Sequence, residues 1–267
     1  MNAEERYLFD LQGFLVVEDV LSEEELAELN GLLDEYDLWQ NKGTGRFDEL
    51  WTNDENFVTV GPVHAWDEPF RRLLDHPKIL PYLAELLGPG LRYDHGHALL
   101  MRQGATHLGL HGGGTPFHPS CYYLVRDGTL YNGLLAVSYA LTDHPARQGG
   151  FAAVPGSHKA HFPCPREFLR FEKTGPWVVH VPAKAGSAII FTEALTHGTW
   201  PWTAAHERRA LLYKYCPGHI AWAGQTPDAK ALRLRGAEYT SDGWSEPARR
   251  MLTPPYVAGR PDVVETH

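Results

Sequence analysis

Ala185-Gly-Ser-Ala-Ile-Ile-Phe-Thr-Glu-Ala-Leu-Thr-His-Gly-Thr-Trp200 decides how the rest of the chain is read. After Gly186 comes a short apolar run with the length and β-branched content of a buried strand. The run leads to His197, followed by a glycine. Glu193 lies four residues before His197, so on one continuous strand both side chains share a face. A carboxylate among apolar neighbours is costly unless a metal or a basic group answers it. Two readings therefore stand for Glu193: a metal ligand, or half of an ion pair with an arginine.

Similar short runs lie on either side, at 91–101, 120–125, 132–141, 151–154, 177–181 and 208–216, punctuated by Gly, Pro, Asp and Asn. Short strands with such turns build a sandwich or barrel rather than a βαβ sheet. The expected fold is mainly β with flanking helices, a double-stranded β-helix of the jelly-roll or cupin-like kind. Upstream, residues 13–20 read as a strand. A helix follows from Ser22 to about Tyr36, opened by the Ser22/Glu25 capping box and striped by Leu26, Leu29, Leu32 and Leu33. A second helix is expected over 77–87, stopped by Gly88. Residues 165–171 read as one or two helical turns. The polar, Gly-containing stretch 40–62 reads as a long surface loop, placed to serve as a lid. The whole chain reads as one domain, 1–267, with a helical part over about 1–90 and a β core over about 91–217.

Composition closes off other classes. The chain has 267 residues, with 8 Trp, 12 Tyr and 11 Phe, too much buriable area for a disordered protein. Its net charge is −9, with no basic stripe, so nucleic acid is not an expected partner. No apolar run is long enough to span a membrane, and the first ten residues do not read as a secretory signal. The three cysteines, Cys121, Cys164 and Cys216, form no metal-site spacing and read as free thiols of a cytoplasmic protein. The 15 histidines are the more telling count, because histidine is the commonest metal ligand.

Three further stretches hold candidate chemistry. His111 precedes Gly112-Gly113-Gly114, bare backbone that leaves room for a ligand or ion beside the imidazole. His107, four residues earlier, shares its face if this is a strand. Pro155-Gly-Ser-His158-Lys159 reads as a tight turn after a strand, with His158 more a scaffold residue than a ligand. Arg208 and Arg209 open the last strand, and alternation turns only one of them inward, where a guanidinium fork suits a carboxylate.

The order His111, the PGSHK turn, the His197-Gly198 strand and an arginine eleven residues on resembles the phytanoyl-CoA dioxygenase family of iron(II)/2-oxoglutarate oxygenases. The resemblance runs from about Met101 to Pro217, with Gly13 to Tyr36 similar to the family's opening strand and helix. It implies that two histidines and a carboxylate hold Fe(II) and leave three positions for 2-oxoglutarate and O₂. It further implies that 2-oxoglutarate is decarboxylated to succinate while an unactivated C–H bond is attacked. On this mapping His111 and His197 are catalytic metal ligands. Arg208, or Arg209 if the register slips by one, grips 2-oxoglutarate.

The family's His-x-Asp motif is His-x-Gly here, since position 113 is glycine, and no other histidine has Asp or Glu two residues later. Three outcomes remain open. Glu193 or water completes the metal shell of an oxygenase; chloride binds iron at the place left by Gly113, as in the halogenases; or the fold is a non-catalytic binding module. The expected substrate is a small, polar metabolite. Trp200, Trp202, Trp222, Tyr122 and Tyr123 read mostly as core or rim aromatics, while His107, His118, Arg102 and Gln103 are candidate substrate contacts.

Overall fold

A computed structural model of the chain describes residues 1–222 and 243–264. The strands are β1 (Phe14–Val17), β2 (Asp48–Asp54), β3 (Phe57–Gly61), β4 (Arg92–Met101), β5 (Leu108–His111), β6 (Tyr123–Arg126), β7 (Thr129–Asn132), β8 (Leu135–Ala140), β9 (Gly150–Ala153), β10 (Val179–His180), β11 (Ala188–Thr192), β12 (His197–Trp200) and β13 (Arg208–Cys216). The helices are α1 (Ala3–Gln12), α2 (Glu23–Tyr36), α3 (Leu38–Asn41), α4 (Glu68–Arg72), α5 (Leu80–Leu87), α6 (Arg166–Leu169) and α7 (Glu246–Met251).

Two antiparallel sheets face each other in the expected double-stranded β-helix. The larger runs β1-β11-β8-β13-β4-β3-β2, the smaller β10-β9-β12-β5, and β6–β7 form a separate hairpin. Alternation along each strand separates two cores. On the outer face of the larger sheet, Val58, Val60, Leu100, Val137, Leu211 and Tyr213 pack under α2, α4 and α5, meeting Leu29, Leu33, Phe70 and Leu83. Buried tyrosines lock this helical layer in place. Tyr213 donates its hydroxyl to Phe70 O at 2.6 Å, Tyr139 to Leu73 O at 2.9 Å and Tyr215 to Leu74 O at 2.8 Å. Each such bond contributes about 0.5–1.5 kcal/mol, and each hydroxyl would be costly to bury without it. On the inner face Ala136, Ala140, Ile189 and Phe191 meet Phe151 and Ala153 of the smaller sheet. The small alanines keep the space between the sheets open further along.

Helix α2 starts at the expected capping box, with Ser22 and Glu25 satisfying each other's backbone amides. Helix α5 ends at Gly88 but begins at Leu80, later than expected, because Pro81 sits in its first turn. Helix α1 was not foreseen; Asn2 and Glu5 form its capping box and Gly13 its left-handed stop.

The stretch 40–62 is not a surface loop. It holds β2 and the fully buried β3, whose Phe57-Val-Thr-Val60 run pairs with β4. Four apolar or β-branched residues in a row suffice for a strand when a longer strand lies alongside, and the polar residues around them hid the signal. With β1, β2 and β3 in the larger sheet, residues 1–90 are not only a helical part. No helix among the described residues is long and apolar enough to cross a membrane, and the three cysteines are free.

Candidate active site

The corner between the two sheets carries the chemistry. β11 ends at Thr192 in the larger sheet, and β12 begins at His197 in the smaller one. Glu193 to Thr196 turn between them, tied by Glu193 N–H to Leu134 O at 2.9 Å and Leu195 N–H to Thr192 O at 2.9 Å. Glu193 and His197 are thus not on one strand, as period two had them. They converge because the chain folds back at the corner. His197 pairs across β12–β5 with His111, and their rings lie 4.3 Å apart. His111, Glu193 and His197 each offer a donor atom, all within 4.8 Å of one another.

The donor set fits a metal. The Nδ1 atoms of His111 and His197 face the carbonyls of Gly109 at 3.0 Å and Leu195 at 2.7 Å. A carbonyl only accepts, so each Nδ1 carries the proton and each Nε2 is left with a lone pair. His197 Nε2 lies 3.8 Å from Glu193 Oε2. The other carboxylate oxygen, Oε1, pairs with Lys214 Nζ at 2.8 Å. The basic partner of Glu193 is therefore a lysine of β13, not an arginine. Burial raises the Glu193 carboxyl, but Lys214, His197 and His111 outweigh it and hold it near 2. Burial pushes His197 down to about 3, so it is neutral and able to ligate across the physiological range.

Gly112 and Gly114 let backbones touch, and Gly113 lies against the Thr196 hydroxyl. A Cβ on Gly112 would lie 2.5 Å from Leu195 O, and one on Gly114 would lie 2.8 Å from His158 O. Gly113 has φ +109°, and its Cβ would meet Thr196 Oγ1 at 2.8 Å. A side chain from position 113 therefore runs into Thr196. The PGSHK turn braces this contact. Ser157 Oγ accepts from Thr196 N–H at 2.7 Å, while Ser157 O accepts from Gly114 N–H at 3.0 Å. One serine thus ties the loop after His111 to the corner before His197. His158 is scaffold, as expected: buried, bonded to Asp10 O at 3.1 Å and edge-on to Tyr123.

A cavity of about 140 Å³ leads from the histidines between the sheets and is also lined by Trp51, His97, Ser138, Arg208 and Lys214. Alternation along β13 separates the two arginines. Arg209 points outward to Asp34 at 2.6 Å and Glu207 at 2.8 Å. Arg208 points inward and is 2% exposed. Its Nε has no partner, and Nη1 reaches only Met101 Sδ at 3.3 Å. Burial pushes it down to about 9, so at neutral pH it is a cation without an anion among the described residues.

Other candidates lie elsewhere. His107 packs on Phe171, His118 accepts from Ser120 N–H, Arg102 stacks over Trp39, and Gln103 bonds Thr203 O. Trp200 stacks on His180, Trp202 is buried with Nε1 on His206 O, and Tyr123 bonds Asp10. Tyr122 lies beside Phe117, and Trp222 stacks on His95. Trp51, His97, Ser138, Thr196 and Lys214 were missed. For Lys214 a signal existed, since it shares the face of Arg208 at even spacing along β13.

A jelly roll with two histidines and a carboxylate at one corner and a buried arginine behind them defines the 2-oxoglutarate-dependent dioxygenase class of enzymes. The chain belongs to the phytanoyl-CoA dioxygenase (PhyH) family, whose sequence pattern matches residues 9–210. It is similar to the ectoine dioxygenase of Nocardia farcinica (strain IFM 10152), with 24% identity over 232 residues, 74% of this chain and 72% of that one. HygX from Streptomyces hygroscopicus, solved with nickel, 2-oxoglutarate and hygromycin B, superposes with a TM-score of 0.72 at 24% identity, covering 86% of this chain and 94% of HygX. The 2-oxoglutarate-dependent epimerase SnoN from nogalamycin biosynthesis matches with a TM-score of 0.64 at 19% identity over 98% of each chain.

Proposed function

We propose that this protein is an iron(II)/2-oxoglutarate-dependent oxygenase that hydroxylates an unactivated C–H bond of a small molecule. In this reading His111, Glu193 and His197 hold the iron and Arg208 holds the distal carboxylate of 2-oxoglutarate. The observation that carries it is Arg208, an inward cation without a counter-ion among the described residues, in the same cavity as two histidines whose Nε2 atoms are free to ligate. HygX, to which the chain is similar, is solved with nickel and 2-oxoglutarate bound, a metal and a dicarboxylate of the kind this donor set and Arg208 would take.

Bound iron(II), with 2-oxoglutarate and O₂, would supply the oxidising power for C–H hydroxylation, releasing succinate and CO₂. The chain's own work is positioning. The Gly109 and Leu195 carbonyls hold both imidazoles in the ligating tautomer. Lys214 holds one oxygen of Glu193 and leaves the other facing His197. Phe151 and Phe191 flank the cavity and keep water from it. Arg208 sets the depth at which a dicarboxylate rests.

The geometry favours Glu193 over chloride as the third ligand. The halide reading needs an open carboxylate position beside Gly113, where the Thr196 hydroxyl stands 2.8 Å from a Cβ, whereas Glu193 already stands within donor distance of both histidines. The binding-module reading accounts for the buried Arg208 but leaves the convergence of His111, Glu193 and His197 unexplained. Anaerobic titration of metal-free protein with Fe(II) and then 2-oxoglutarate tests the proposal. A visible charge-transfer band saturating at one iron per chain is expected, present in Arg208→Lys only at raised 2-oxoglutarate and unaffected by chloride. Folded protein without the band would reject the assignment.

A further inference from the structure

The cavity has two ends. Arg208 and Lys214 both face inward from β13, and six residues separate them, about 20 Å of extended strand. A five-carbon dicarboxylate reaching from the metal ligands to Arg208 uses one end only. Toward Lys214, β4 puts His97, opposite Leu212, on the cavity wall, and His95, opposite Lys214, stands next to it just beyond the lining.

These imidazoles are prepared for a ligand. His97 is 8% exposed, lines the cavity and makes no hydrogen bond among the described residues. Burial holds it well below its usual range, so its ring is neutral and offers one donor and one acceptor. His95 is fixed from behind by Asp94, whose Oδ2 lies 2.7 Å from its Nδ1. Asp94 has a fully buried side chain, and its Oδ1 accepts from Arg92 at 3.1 Å and from Trp222 N–H at 2.9 Å. With Nδ1 donating to that carboxylate, His95 presents Nε2. The His95 and His97 rings stack 6.3 Å apart at 24°, and Trp222 stacks on His95 at 5.2 Å and 20°. Two nitrogen-bearing ring edges thus stand side by side.

Charge narrows what they take. Lys214, the other cation among the described residues that line the cavity, is committed to Glu193. A charged substrate would lose its hydration here without gaining a counter-ion. Neutral hydroxyls satisfy both rings, because each hydroxyl can donate as well as accept. We propose that the His95–His97 end is the substrate subsite and that it takes an uncharged, hydroxyl-rich small molecule of polyol or sugar-like character. This rests on the oxygenase reading of the same cavity.

Saturation-transfer NMR on protein loaded with Ni(II) and 2-oxoglutarate tests it, with myo-inositol, glucuronate and cyclohexanol as probes. Myo-inositol is expected to bind saturably, with cyclohexanol weaker by about tenfold or more through lost hydrogen bonds and glucuronate weaker by about as much through desolvation of its carboxylate. His97→Leu should weaken myo-inositol by a similar factor and leave 2-oxoglutarate affinity within about twofold. His95→Gln is the second variant should His97→Leu fail to fold, with the same loss expected. Absence of a myo-inositol signal, an equal signal in the variants, or preference for either other probe overturns the subsite. Failure of 2-oxoglutarate itself to bind would instead remove the parent reading.

Discussion

Replacing Arg208 by methionine should make the cosubstrate-free protein more stable. The guanidinium is desolvated and falls from 12.5 to about 9. Neutral pH lies below both values, so the group is charged folded and unfolded, and the folded state bears the whole burial penalty. That penalty is roughly 5 kcal/mol as an upper bound, and it fades only as pH rises through 9. Methionine removes the charge and places an apolar chain beside Met101 and Leu99. Apolar replacement of buried charges elsewhere gains about 1–4 kcal/mol, and each kcal/mol moves the melting point of a chain this size by about 2–4 °C. The Arg208→Met protein should therefore melt several degrees above the native one when both hold Ni(II) alone. Adding 2-oxoglutarate at a hundredfold excess over its Kd should raise native stability by about 2.7 kcal/mol and leave the variant unmoved. Four thermal melts decide the matter. A variant that melts below native without 2-oxoglutarate, or that keeps the ligand shift, would refute the argument that Arg208 is an anion site held open at a cost in stability.

Glu193→Ala should weaken Co(II) binding by about 10- to 100-fold on a visible-absorption titration, and it should lower stability by about 3–5 kcal/mol because Lys214 stays buried without its partner. Gly113→Asp restores the family's His-x-Asp spelling, yet it should destabilise by about 1–3 kcal/mol through its positive φ alone and should not tighten metal binding; tighter binding would show that position 113 does face the metal. Ser157→Ala leaves Thr196 N–H buried and unsatisfied, a loss of about 1–3 kcal/mol by denaturant unfolding. Acid should destabilise the fold early. Burial lowers His158 to about 4 and His64 to about 3, so the unfolded chain takes up protons first as pH falls below about 6.5. Their contribution is whole above that pH and is lost on descent toward 4, and a His158→Asn protein should show a shallower fall in melting temperature across that window.

The strands of the β core were legible because alternation and turn residues repeat along them. β4 and β13 begin and end almost where the runs at 91–101 and 208–216 do. His111, His197 and Arg208 were legible because their order and spacing are unusual in combination. What escaped depends on partners distant in sequence. β3 is a strand because β4 lies beside it, and its own five residues sit among polar neighbours. Glu193 reaches the site through a corner between sheets, which periodicity along one strand cannot describe. Of the glycines after His111, which read as room for a ligand, Gly112 and Gly114 seat protein backbones against each other. His97 gave no local sign, since nothing near it in sequence tells which face of a strand looks into a cavity, whereas Lys214 was signalled only by its even spacing from Arg208 along β13.

β13 is bonded on both sides for most of its length, by β4 and by β8, and it carries Arg208 at one end and Lys214 toward the other. It therefore works as a gauge bar. Inserting or deleting one residue between Arg208 and Lys214 would reverse the facing of one relative to the other, so the two could no longer both look into the cavity. A change of length in this strand would therefore cost one of the two inward contacts, whereas the loops at its ends can change length without altering the span from Arg208 to Glu193.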